Sequence, residues 1–223
     1  LAGSTGANKK AVPVRSMLRG QMSRSPSKVV FAPRPHTLTM HVVVNAATSA
    51  DGKLSTRERE QIAISGRADF ERVDQLRADS DAVMVGVGTV LADDPSLTLE
   101  DEERVSARRD RGDAPQPARV VADSRGRTPA DARVLNGDAE SYVLVSESAT
   151  EDQRERLASD ATVIVAGEER VDLERALDAL ESSGVDRLMV EGGGELIFSL
   201  FVADLVDELS VFVGPLVLGG RDA

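Results

Sequence analysis

A chain of 223 residues, 41% hydrophobic and 29% charged, carries enough apolar material for one sizeable core and fits one domain better than two. It contains no apolar run of about 18 residues that could span a membrane. Cysteine is absent and histidine occurs only at His36 and His41, which excludes disulfides, thiolate zinc sites and a thiol nucleophile and argues against a histidine-built metal centre. Any catalysis must rest on carboxylates, hydroxyls, lysine or arginine, or on a borrowed cofactor.

Charge is unevenly spread. Residues 1–39 hold seven of the 27 basic side chains and none of the 38 acidic ones, so the remaining chain carries a net −18. Such a surface repels nucleic acid and anionic membranes, and a single lysine (Lys53) among nineteen arginines in that part suits a high-salt cytoplasm, where dense carboxylates are screened. The first 39 residues are rich in Ser, Pro, Arg and Gly without an amphipathic period, a composition expected to be disordered. Their Arg/Ser content resembles a transit peptide. The composition changes abruptly at Met40, however, and the stronger expectation is a non-native extension ahead of a domain over residues 40–223.

In chain order, Met40–Asn45 reads as a buried strand and Asp51-Gly52 as a turn. Ser65 is placed to cap a helix reaching Arg77. Asp81–Val87 is a second strand, and Glu100–Pro117, polar and proline-bearing, reads as an exposed loop. Further strands are expected at Ala118–Ala122, Tyr142–Val145 and Thr162–Val165. Asp172 caps a helix with one apolar face that Gly184 stops, Arg187–Val190 is a strand, and Gly192-Gly193-Gly194 opens a helix through Phe201. Val206–Val213 is the last strand. This alternation predicts a three-layer α/β domain around a mostly parallel sheet.

Four stretches could carry chemistry. Val85-Gly86-Val87-Gly88-Thr89 follows a strand and reads equally as a tight turn or as backbone that a phosphate can approach; Leu91 stands where a dinucleotide-binding fingerprint needs its third glycine. Glu191-Gly192-Gly193-Gly194-Glu195 also follows a strand, and consecutive glycines there provide bare backbone for a ligand or a neighbouring chain. Asn45–Lys53 (NAATSADGK) brings small residues and the lone lysine to a strand end, where Lys53 is either a compact ammonium for a phosphate or carbonyl or a surface residue. In Leu91–Thr98 (LADDPSLT), Asp93 and Asp94 before Pro95 read as a helix end, and no metal is expected.

Together with AIS (63–65), ARVVADSRGRTPADARVL (118–135) and LVDELSVFVGPLVLGG (205–220), these blocks resemble in order the reductases of the second stage of riboflavin biosynthesis. That family comprises stand-alone archaeal and fungal diaminopyrimidine reductases and the reductase half of the bacterial bifunctional deaminase–reductase. The resemblance implies a dihydrofolate-reductase-like fold, a homodimer, a cytoplasmic enzyme, and NADPH (or NADH) as hydride donor. The reaction it implies reduces the ribosylamino group of 2,5-diamino-6-(ribosylamino)pyrimidinone 5′-phosphate to ribitylamino; the bacterial branch uses the deaminated pyrimidine.

By position the resemblance assigns Thr89, Asp93, Ser124, Gly193 and Gly194 to the cofactor, with Gly86, Gly88 and Gly192 shaping that pocket. It assigns Ser65, Arg77, Leu97 and Glu191 to the substrate. Asn45 is added as a substrate-side residue and Arg125 as a cation for the cofactor's 2′-phosphate. Chemistry suggests Arg77 and Ser65 for the ribose phosphate and Glu191 for the pyrimidine amino groups. Lys53 and Asp51 are the candidates for a proton donor. Leu99 and Glu100 stand where bacterial members carry a basic residue, and the chain ends where family members continue, so C-terminal strands are expected to be missing. The competing readings are a pterin- or folate-type reductase of the same fold and a non-catalytic nucleotide-binding paralogue.

Overall fold

The computed structural model describes residues 12–13, 27–30, 39–53, 67–137 and 139–219. Among them are strands β1 (Val12–Pro13), β2 (Ser27–Val30), β3 (His41–Thr48), β4 (Ala82–Gly86), β5 (Ala118–Ala122), β6 (Ser141–Val145), β7 (Thr162–Val165), β8 (Arg187–Gly192), β9 (Glu208–Val213) and β10 (Leu216–Val217). The helices are α1 (Arg67–Ala78), α2 (Val87–Asp93), α3 (Glu102–Arg111), α4 (Glu151–Ala158), α5 (Leu173–Ser182) and α6 (Gly194–Val202).

An eight-stranded sheet in the order β2-β9-β3-β8-β4-β5-β6-β7 forms the centre; every neighbour is parallel except β2, which runs antiparallel to β9. β1 and β10 make a separate antiparallel pair. Two short strands therefore fall within residues 1–39, a segment whose composition argues against structure. The β-branched runs of β3, β4, β5 and β6 are buried on both faces, as a parallel sheet covered by helices requires. On one face Val42, Val44, Met84 and Val190 pack with Leu177 and Leu180 of α5 and Leu196 and Leu200 of α6. On the other, Val83, Val85 and Val143 pack with Val87 and Val90 of α2, Leu157 of α4 and the loop residue Leu97. This is the three-layer, mostly parallel arrangement expected from the alternation.

Helix ends follow local chemistry. Asp172 accepts from Arg175 N at 3.2 Å to start α5, and Thr150 and Gln153 form a capping box on α4. The stretch expected as an exposed loop, Glu100–Pro117, instead contains α3. Asp101 caps it through Glu103 N at 2.9 Å, and left-handed Gly112 ends it. Its inward side is occupied by Val105 and by the buried Arg108, whose guanidinium donates to the carbonyls of Ala78, Ser80 and Ala114 at 2.7–2.8 Å. Arginine stands where a hydrophobic periodicity would have announced the helix. β3 also runs further than expected, carrying Ala46–Thr48 within the strand.

Candidate active site

Because β3, β8, β4 and β5 are parallel neighbours, their C-terminal ends open on one edge, where ligands of such sheets bind. Both glycine motifs lie there. α2 starts from N-cap Gly86 and α6 from N-cap Gly193, and neither cap supplies a side-chain hydrogen bond, so the helix starts present bare amides. Gly193 adopts φ +94°, and a Cβ on it would stand 3.2 Å from both Cα and N of Gly86. A Cβ on Gly192 would lie 3.0 Å from Thr89 Oγ1. The glycines at 86, 192 and 193 thus let two strand-to-helix turns touch, while Gly88, in the first turn of α2, and Gly194, the first residue of α6, are exposed. A Cβ on Gly88 would meet no atom within 4 Å. This is a cradle of open backbone of the kind a nucleotide's phosphates need, so the residues present fit a dinucleotide cofactor.

Beside the cradle lies a polar row. Met84 of β4 pairs with Val190 and Val85 with Gly192, which leaves Glu191 as an extra, bulged residue of β8. Its carboxylate accepts from Arg77 Nε at 2.9 Å and from Arg77 Nη2 at 2.6 Å, and Arg77 Nη1 donates to Thr98 O at 3.1 Å. The two side chains are 19% and 11% exposed. Burial works against the charge on Arg77, but the facing Glu191 carboxylate outweighs it and holds the guanidinium above its ordinary pKa. Arg77 and Glu191, expected to serve different parts of a substrate, are therefore joined as a bidentate pair. Asn45 of β3 is 6% exposed, and its Oδ1 is buried without a hydrogen-bond partner among the described residues. A buried acceptor left unmade within β3 is costly, and it fits a ligand donor.

Leu97 has φ +57° and a side chain only 1% exposed, packed in the core. The side chain is thus an anchor, and the substrate contact expected of Leu97 falls to its main-chain atoms. Asp93, exposed at the end of α2, and Asp94, the left-handed cap that follows, end the helix as expected. No cluster of acidic or histidine side chains able to hold a metal occurs among the described residues. Ser65 lies outside the described residues.

Ser124 follows β5. Its Oγ accepts from Val171 N at 3.0 Å and its carbonyl from Ser146 N at 3.1 Å. Arg125 is exposed at the tip of the same loop. Buried Asp123 accepts from Thr128 N and Oγ1 at 2.6 and 2.8 Å, and Arg156 donates to the carbonyls of Gly126 and Thr128, so this loop is held rigidly.

Asp51 and Lys53 form a clamp rather than an acid. Asp51 Oδ1 accepts from Ser49 Oγ at 2.6 Å and Leu218 N at 3.1 Å, and Oδ2 accepts from Gly219 N at 2.9 Å. The Ser49 hydroxyl, followed by the Leu218 amide, holds the Asp51 pKa down at about 2 and so favours the carboxylate. Lys53 Nζ donates to the carbonyl of Gly219. These bonds engage Asp51, and Lys53, the other residue expected as a proton donor, lies within the same clamp.

A cleft of about 500 Å³ lies at the opposite end of the sheet, lined by Arg108, Gln116, Glu140 and Tyr142 among others. It touches none of the residues above, and Arg108 there is committed to main-chain carbonyls.

Comparison with known proteins agrees with this geometry. Residues 40–223 match the family described as the RibD C-terminal domain. The 2,5-diamino-6-ribosylamino-4(3H)-pyrimidinone 5′-phosphate reductase of Archaeoglobus fulgidus is 51% identical over 183 residues, covering 82% of this chain and 84% of the relative. The protein of the same name from Methanothermobacter thermautotrophicus is 45% identical, covering 82% and 81%. Among solved structures, a pyrimidine reductase-like protein of Corynebacterium diphtheriae superposes with a TM-score of 0.66 at 19% identity, over 82% of this chain and 80% of that one. The riboflavin biosynthesis reductase Rib7 of Saccharomyces gives 0.63 at 22%, over 86% and 80%; at these identities the two structures speak for the fold alone. The chain belongs to the RibD C-terminal domain family, and its fold is the dihydrofolate-reductase-like fold of that family's reductases.

Proposed function

We propose that this chain reduces the ribosylamino group of 2,5-diamino-6-ribosylamino-4(3H)-pyrimidinone 5′-phosphate to the ribitylamino group, with NADPH as the reductant, in riboflavin biosynthesis. The observation that carries the reading is the Arg77–Glu191 pair, set beside the orphan acceptor of Asn45 at the sheet edge where the two glycine turns meet. The two archaeal relatives bearing that activity in their names span nearly the whole of residues 40–223.

The bound coenzyme supplies the hydride. The protein's own work is binding, orientation and exclusion of water, and orientation alone can contribute about 7–11 kcal/mol. Gly88 and Gly194 offer exposed backbone to the coenzyme diphosphate in the cradle that Gly86, Gly192 and Gly193 shape, with Thr89 and Asp93 at the rim. Ser124 and Arg125, on the rigid loop after β5, offer a hydroxyl and a cation to the 2′-phosphate that distinguishes NADPH from NADH. Asn45 Oδ1 and Glu191 accept from the amino groups of the pyrimidine. Among the described residues three of the five N–H donors of Arg77 are engaged, and the other two are offered to the sugar phosphate, for which the sequence also supplies the Ser65 hydroxyl. The chain acts as a homodimer in the cytoplasm in this reading.

The test supplies the diamino and the deaminated ribosylaminopyrimidinone phosphates separately and follows loss of the reduced nicotinamide absorbance. Consumption of NADPH with the diamino compound supports the proposal. A folded, NADPH-binding protein that consumes none with either compound sinks it.

A further inference from the structure

The polar row at the substrate side continues past Asn45 onto β9. In the parallel pairing of β3 with β9, Asn45 lies opposite Ser210, and in the pairing of β3 with β8, Val44 lies opposite Val190, the residue before Glu191. Ser210, Asn45 and Glu191 therefore stand side by side on three adjacent strands, on the sheet face that α1 covers. With strands about 4.8 Å apart, the row spans about 10 Å, the scale of a substituted pyrimidine ring.

α1 reaches this row twice. Arg77 binds Glu191, and one turn and a half earlier Arg72 donates through Nη1 to Ser210 Oγ. Arg72 is itself fixed: Nε and Nη2 both donate to Asp69 Oδ1, at 3.0 and 2.6 Å, and Asp69 is buried. A β-strand serine that is 6% exposed needs no guanidinium to fold, since its small side chain is easily accommodated. What the arginine does is dictate direction. A hydroxyl has one proton and two lone pairs; with a cationic donor occupying its oxygen, the Ser210 proton must point away from Arg72 and is the more strongly polarised.

We infer that Ser210 is a further substrate-binding residue, presenting its O–H as the donor that completes the row, and that Asp69 and Arg72 are the positioning residues that aim it. The inference rests on the substrate class proposed above. A pyrimidinone edge carries amino groups, which donate, and a ring carbonyl, which only accepts. Asn45 Oδ1 and the Glu191 carboxylate are acceptors and suit the amino groups, whereas the carbonyl needs a donor. Ser210 supplies the complementary donor at the end of the same row.

The experiment measures steady-state kinetics of the full chain and of Ser210→Ala, Ser210→Thr and Arg72→Met, with the thermal midpoint of each. Turnover by the unmodified chain comes first, because its absence removes the proposed function rather than this inference. Given turnover, Ser210→Ala is expected to raise the substrate KM about tenfold, with kcat and the NADPH KM little changed. Ser210→Thr, which keeps the hydroxyl, is expected to retain the parent KM. Arg72→Met should raise the same KM by a similar factor, and the double variant should be no worse than either single one. A Ser210→Ala enzyme with unchanged substrate KM and a lowered thermal midpoint would show that the contact only docks α1 on the sheet, and would overturn the inference. If Arg72→Met does not fold, the two Ser210 variants decide the matter alone.

Discussion

At the scale of the residue, two pairs of substitutions separate structure from function. Arg77 and Glu191 are mostly buried and bound to one another, so removing one partner strands a charge. Arg77→Ala is expected to cost about 2–3 kcal/mol, the lower end of the range for buried pairs because both side chains keep some contact with water. Replacing both together, Arg77→Met with Glu191→Leu, should recover most of that stability while kcat/KM stays at least about a hundredfold down, as a denaturation curve and an assay on the same preparation would show. The glycines make the second contrast. Gly193→Ala forces a Cβ against the Gly86 backbone at φ +94° and should destabilise the fold by about 1–3 kcal/mol. Gly88→Ala sits in a helix with nothing within 4 Å, and should leave the fold as stable or stabilise it by up to about 1 kcal/mol, yet weaken NADPH binding measured by fluorescence titration. A Gly88→Ala protein with undiminished coenzyme affinity would remove Gly88 from the cradle.

The same scale shows what could be read from residue types. Glycine at a strand end is visible in sequence because few other residues are tolerated there, so both turns were legible; what the sequence left open was whether the bare backbone served a ligand or a neighbour. The structure divides the answer: Gly193 and Gly192 make room for Gly86 and Thr89, while Gly88 opens outward. The Ser210–Arg72 contact was not legible, because its partners are 138 residues apart and meet only through strand register and the docking of α1. Nor was Leu97's left-handed backbone, which its residue type gives no reason to expect.

Among the elements, β5 and β7 stand at their expected limits, Ala118–Ala122 and Thr162–Val165, and α5 starts after the expected cap Asp172. Their β-branched runs and capping chemistry are local signals. α3 was missed because its buried positions are filled by Val105 and an arginine that hydrogen-bonds carbonyls instead of contributing apolar period. The clamp between residues 49–53 and 216–219 also joins distant segments, and it carries a pH prediction. The folded pKa of Asp51 is depressed, to about 2 from 3.8, so its stabilising contribution is complete above the unfolded value and is lost as pH falls through the folded one. Amide exchange at Leu218 and Gly219, followed by NMR, should stay slow down to about pH 4 and accelerate between about pH 4 and pH 2. In Asp51→Asn it should be faster above about pH 4 and converge with the parent near pH 2; equal protection above about pH 4 in that variant would mean that the carboxylate does not hold the segment.

For the whole molecule, the net charge of −18 over residues 40–223 opposes compaction. Salt screens such repulsion over a Debye length of about 10 Å at 0.1 M and about 3 Å at 1 M. The thermal midpoint should therefore rise steadily as potassium chloride is raised through this range, and a midpoint indifferent to salt would detach the acidic surface from any adaptation to it. The fold brings the ends of β3, β8, β4 and β5 together, so that two glycine turns, an ion pair and an orphan amide, far apart in sequence, become one site. That this single site performs a hydride transfer is the central claim. The measurement that meets it most directly is a single turnover with NADPH deuterated at the transferring carbon and the diamino ribosylaminopyrimidinone phosphate, the product then being analysed by mass spectrometry and NMR. The expected product is the ribitylamino compound carrying the deuterium on C1′ of the opened sugar chain. A folded, coenzyme-bound protein that forms no such product, or forms it without the label, would contradict it.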